Sequence, residues 1–133
     1  MKRIFSFAYF LFALVLFTHC SGNRPDAKPL EQIVADINAK CPQMIDSETR
    51  IDGIEIKANN VLAYKYTLVN LSAASVDTSE FRKALWPGLL AIIRTNPELQ
   101  ELRNRQTIFE YDYLDKQNQF VYSFKILPRD YTP

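Results

Sequence analysis

Glu110 and Asp112 are the two residues in the chain that most resemble a working acid/base pair. On a β-strand, residues two apart share a face and stand about 7 Å apart, a separation close to that of paired carboxylates in glycoside hydrolysis. Lys125 is expected opposite Glu110, which makes the same residues an ordinary charged sheet face. Other chemistry-bearing types are sparse: one histidine (His19), two cysteines (Cys20 and Cys41) and three glycines in 133 residues. So few glycines leave no phosphate-cradling loop, which excludes a nucleotide site. Asp46, Glu48 and Asp52 gather near one strand without the glycine and terminal glutamate of a calcium loop, so no metal or cofactor is expected.

The N-terminus decides how much chemistry remains. Lys2 and Arg3 precede an uncharged apolar run, Ile4 to Phe17, too short at about 14 residues to span a bilayer, and the pattern is that of an export signal. Phe17-Thr18-His19-Cys20 resembles a bacterial lipobox, with Phe17 where Leu is usual and His19 where a small residue is usual. The resemblance implies cleavage before Cys20 and acylation of its sulfur. The competing reading pairs Cys20 with Cys41 in a disulfide. Cleavage removes His19, and with it Ser-His and Cys-His nucleophiles, imidazole bases and histidine metal ligands. It also removes Lys2 and Arg3 from 16 basic residues against 15 acidic, a net charge of −1 that offers no footprint for nucleic acid.

The elements follow from periodicity. Residues 1–19 read as the signal peptide, 20–28 as a lipidated cysteine with a polar tether, 29–128 as one domain and 129–133 as a tail. Leu30, Ile33, Val34, Ile37 and Cys41 recur at helical spacing after Pro29, which places Cys41 on a buried stripe ended by Pro42. Residues 54–58 and 61–70 alternate around Asn59-Asn60 as a hairpin, with a three-residue loop setting Leu62, Tyr64, Tyr66 and Leu68 beside Ile54 and Ile56. Asp77-Thr78-Ser79-Glu80 is a capping box, and Pro87 predicts a kink or break near Trp86. A short helix follows Asn96-Pro97. A second hairpin sets Phe109, Tyr111 and Tyr113 against Ile126, Phe124 and Tyr122. The expected fold is α+β, ordered α-β-β-α-β-β, with a four-stranded antiparallel sheet covered on one face by two main helices. Tyr64, Tyr66, Tyr111, Tyr113 and Tyr122 could line a ligand surface, but their spacing favours core.

Cys41-Pro42-x-x-x-Asp46-x-x-Thr49-Arg50-Ile51-Asp52, then Tyr64-x-Tyr66-Thr67-Leu68-Val69-Asn70, then Asn96-Pro97, resembles a family of small exported bacterial proteins of unknown function over most of residues 30–128. The resemblance carries no activity or catalytic residue. Leu often stands at the position of Cys41, in keeping with apolar packing. Arg50, Asp52, Thr67 and Asn70 are its polar positions, a structural or binding cluster. The expectation is a lipid-anchored protein of the bacterial envelope that binds a protein partner. The alternative is an envelope hydrolase centred on Glu110 and Asp112.

Overall fold

The structure, a computed structural model, describes residues 28–133. The signal peptide, His19, Cys20 and nearly all of the tether lie outside the described residues. Helix α1 (Leu30–Asn38) is followed by strands β1 (Gln43–Met44), β2 (Thr49–Lys57) and β3 (Val61–Leu68), helices α2 (Thr78–Thr95) and α3 (Gln100–Asn104), strands β4 (Ile108–Asp115) and β5 (Phe120–Ile126), and a last turn of helix, α4 (Pro128–Tyr131). The strands form one sheet in sequence order, β1-β2-β3-β4-β5.

The fold is α+β, but the sheet has five strands rather than four and is not wholly antiparallel. The two-residue β1 adds an edge to β2, and β3 pairs with β4 in parallel. The connection explains the direction: α2 and α3 carry the chain back along the sheet, so β4 enters from the same end as β3, as a crossover requires.

Both hairpin registers match the sequence reading. Ile54 faces Tyr64 and Ile56 faces Leu62 across a three-residue loop in which Asn59 and Asn60 take φ of 62° and 59°. Phe109, Tyr111 and Tyr113 face Ile126, Phe124 and Tyr122. The large side chains of both hairpins fall on one face, where α1 and α2 cover them. Phe109, Phe124, Leu62, Ile93, Leu102 and Ile126 are fully buried there.

Three local expectations change. Helix α1 stops at Asn38, not at Cys41, because Asn38 turns its carboxamide to the edge of β2: Nδ2 donates to Ile54 O at 2.9 Å and Ile54 N donates to Oδ1 at 2.7 Å. Cys41 therefore lies beyond the helix, only half-buried, its thiol donating to Ile37 O. Helix α2 starts where the capping box put it, with Asp77 accepting from Ser79 N and Glu80 N, yet it runs unbroken through Pro87. Pro87 sits on the exposed side, where water can satisfy the freed carbonyl of Lys83. The segment expected as a tail packs instead: Tyr131 is buried, sets its ring edge-on to Phe109 and donates its hydroxyl to Thr107 O at 2.8 Å.

Candidate functional site

The polar residues singled out by sequence stand on the face of the sheet away from the helices. Three of the four hydrogen-bond to one another. Arg50 Nε donates to Asp52 Oδ1 at 2.5 Å, Thr67 Oγ1 donates to Asp52 Oδ2 at 2.5 Å, and Arg50 Nη2 reaches Thr67 Oγ1 at 3.4 Å. A bulge between Ile51 and Gly53 leaves Asp52 without a cross-strand partner, so its carboxylate is free to bridge the two. Asn70 lies apart, donating to Ser47 O and Glu48 Oε2 and fastening the end of β3 to the loop before β2.

Glu110 and Asp112 share this face, and Glu110 is in register with Lys125. The ion pair forms with Lys57 instead. Its ammonium binds Glu110 and lies 3.5 Å from Asp112, crossing β3 above the fully covered Ala63. Ser123 Oγ donates to Asp112 Oδ1 at 2.6 Å. The hydrogen bond that Lys57 donates to Glu110 is the main cause that raises the Lys57 pKa, so the ammonium stays charged and holds both carboxylates. Neither carboxylate lines any of the three best-formed cavities among the described residues. Among the described residues no His, Cys, Asp or Glu trio could hold a metal ion, and no helix is long and apolar enough to cross a membrane.

Asp115 is a structural residue that sequence reasoning missed. Fully buried at the end of β4, it accepts backbone N–H bonds from Ala73, Gln117 and Gln119 at 2.7–2.8 Å, which hold its carboxyl below the usual range and close the β4–β5 turn.

The helix face contains the more informative cavity, a groove of about 230 Å³ between α2 and the loop after β1. Its floor is a ladder of Tyr64, Tyr66, Tyr111 and Tyr113 from the parallel pair β3 and β4. Their rings stack nearly parallel, with centroids 5.0–6.4 Å apart and planes within 19°. Parallel pairing puts Tyr64 level with Tyr111 and Tyr66 level with Tyr113, and that register is what builds the ladder. Leu89 and Ile92 of α2 form one wall and Ile45 the other, while Asn96 and Leu99 close an end.

Each tyrosine is more than nine-tenths buried, and none of the four hydroxyls has a hydrogen-bond partner among the described residues, unlike that of Tyr131; the fully buried side-chain oxygen without a partner there is that of Thr107, so the four phenol oxygens open to solvent in the groove. Burial pushes the phenols of Tyr64 and Tyr113 up to about 12, and those of Tyr66 and Tyr111 higher still. All four therefore remain protonated donors at neutral pH. Around them Ile45 and Ile92 are 55% and 52% exposed, and Met44 47%, so exposed apolar surface continues from the groove. The four tyrosines are core, as expected, and also the floor of the groove. The signal that could have found it is Met44-Ile45, two apolar residues in an otherwise polar connection.

A family model described as a domain of unknown function, DUF8479, matches residues 25–123. The chain belongs to the DUF8479 family. No curated protein matches the chain by sequence. Two solved structures share the DUF8479 fold seen here. A protein described as secreted from Pseudomonas aeruginosa aligns with a TM-score of 0.63 at 16% identity, covering 77% of this chain and 88% of its own. The pilotin EpsS of the Vibrio vulnificus type 2 secretion system aligns at 0.60 and 9% identity, covering 77% of this chain and 87% of its own. At such identities the likeness is one of fold.

Proposed function

We propose that this DUF8479 protein is a non-catalytic adaptor of the bacterial envelope, anchored by a lipid on Cys20, that binds a protein partner in the tyrosine-floored groove. The observation that carries this reading is a floor of four tyrosine rings whose hydroxyls open to solvent in the groove beneath exposed Ile45 and Ile92. An exposed apolar rim around polar donors that solvent can reach is the composition of an interface. A secreted protein and a secretion-system pilotin among the structural neighbours fit an envelope role. The groove is smaller than the ~300–1,000 Å³ of ordinary small-molecule sites, which favours side chains of a polypeptide as its contents.

The test is a photo-crosslinking amino acid placed at Ile92 in living cells. The expected result is a covalent adduct with an envelope protein, absent when the probe stands at Lys125 on the open face. Equal adducts from both positions overturn the groove as the site. Metabolic labelling with a fatty-acid analogue tests the anchor: label is expected on the wild type and lost in Cys20→Ser, and an unlabelled wild type overturns it.

A further inference from the structure

We infer that the segment held in the groove is an α-helix of the partner, lying alongside α2, with basic residues flanking its apolar stripe. The inference rests on the reading of the groove as the binding site and names what fills it.

The floor offers no backbone to an extended peptide. β3 and β4 are interior strands, each paired on both sides, so no ladder edge is open within the groove. A segment entering there must satisfy its own N–H and C=O groups, and a helix does so internally. Ring stacking also limits what the tyrosines can do. Their faces cover one another, so edges and hydroxyls, not faces, meet the occupant, which disfavours a sugar or flat ligand that binds by stacking.

The wall of α2 is shaped for a close neighbour. At 3.6 residues per turn, Ala84, Gly88, Ala91 and Thr95 follow next outward from Leu89 and Ile92. All four are exposed, and a Cβ built on Gly88 would meet nothing within 4 Å. Small side chains at i, i+4, i+7 and i+11 form a shallow channel along which another helix can approach, with its apolar side chains reaching over Ile92 into the groove. Its polar side chains meet the four phenol donors.

Charge sets the flanks. Asp46, next to the wall residue Ile45, lies close enough to Tyr113 to raise its pKa, and it binds backbone amides rather than a cation. Glu98, beside Leu99 at the closed end, has no ion-pair partner among the described residues. With no Lys or Arg lining the groove, a partner bearing Lys or Arg beside its apolar stripe is complementary.

The experiment selects binders from a random library of 16-residue peptides displayed on phage, using the full-length protein in detergent. The expected peptides carry apolar residues at i, i+3 or i+4 and i+7 with flanking Lys or Arg, and gain helical circular dichroism on binding. They lose affinity at least about tenfold in Ile92→Lys and in Gly88→Leu, variants at exposed positions that leave thermal unfolding near the wild type. Binders that depend on Ile92 but ignore Gly88→Leu, or gain no helix, overturn the helical occupant and leave the groove standing. No binder, or binders indifferent to Ile92→Lys, overturns both.

Discussion

On the open face of the sheet, Asp52 meets Arg50 and Thr67, and Glu110 and Asp112 meet Lys57, whereas on the covered face four tyrosine hydroxyls have no partner among the described residues and open into the groove. The open face carries most of the residue types associated with chemistry, yet its charges answer one another. The covered face is built from residues that look like core, and it is there that hydrogen-bonding capacity is left over. A charge whose partner lies on the next strand explains itself. A polar group that solvent reaches at the floor of an otherwise apolar groove is free to meet something outside the chain.

The sharpest test of the covered face removes a rung. Tyr111→Ala deletes a ring that is 4% exposed and stacks against Tyr64 and Tyr66, and is expected to cost about 3–5 kcal/mol by urea unfolding. A loss below about 1 kcal/mol would mean that the ladder is not part of the core.

Alkaline titration follows. The folded pKa values of Tyr64 and Tyr113 are raised from 10.0 to about 12, so their contribution to stability is fully present below pH 10 and is lost as pH climbs toward 12. By 1.36 kcal/mol per unit, each ionisation removes about 3 kcal/mol. Tyrosinate absorbance at 295 nm should rise late and together with unfolding. Ionisation of Tyr64 and Tyr113 near pH 10 without unfolding would show that burial of the groove floor does not hold their phenols up.

The open face should respond less. Asp52→Ala leaves Arg50 and the buried Thr67 without their acceptor and is expected to cost about 1–2 kcal/mol, discounted because Arg50 is partly exposed. Arg50→Ala combined with Asp52→Ala should cost less than the two separate losses together, the mark of one network in a double-mutant cycle. A neutral Asp52→Ala would reopen a binding role for this cluster.

How much of this was legible in the sequence depends on the distance over which each signal acts. The hairpin registers and the Asp77 cap were readable because each is fixed within about ten residues, by alternation, by Asn59-Asn60 and by a side chain bonding two and three residues ahead. The parallel β3–β4 pair was not, because nothing in Tyr64-x-Tyr66 or Tyr111-x-Tyr113 says which strand direction brings them together across some forty intervening residues. The groove inherits that blindness: its floor needs the parallel register, and its walls come from Ile45 and α2. Lys57 escaped for the same reason. Glu110 and Lys125 do sit opposite, yet a small residue at Ala63 let a lysine from two strands away reach further. The early end of α1 depended on Asn38 meeting Ile54, another contact between distant segments.

The smallest stability effect is the most discriminating. Tyr66→Phe keeps the ring, its stacking on Tyr111 and Tyr113 and its burial, and deletes only a hydroxyl that has no partner among the described residues. Removing an oxygen that already has a partner costs about 1 kcal/mol, while removing one that has none costs little and can stabilise. Tyr66→Phe is therefore expected to shift unfolding by less than about 0.5 kcal/mol, or to raise it slightly, while weakening adduct formation from the Ile92 crosslinker. Ser123→Ala on the open face should behave in the opposite sense, costing about 1 kcal/mol through the lost bond to Asp112 and leaving the adduct intact. If Tyr66→Phe destabilises as much as Ser123→Ala and the adduct survives both, the hydroxyls of the ladder belong to the fold, and the contrast between the two faces disappears.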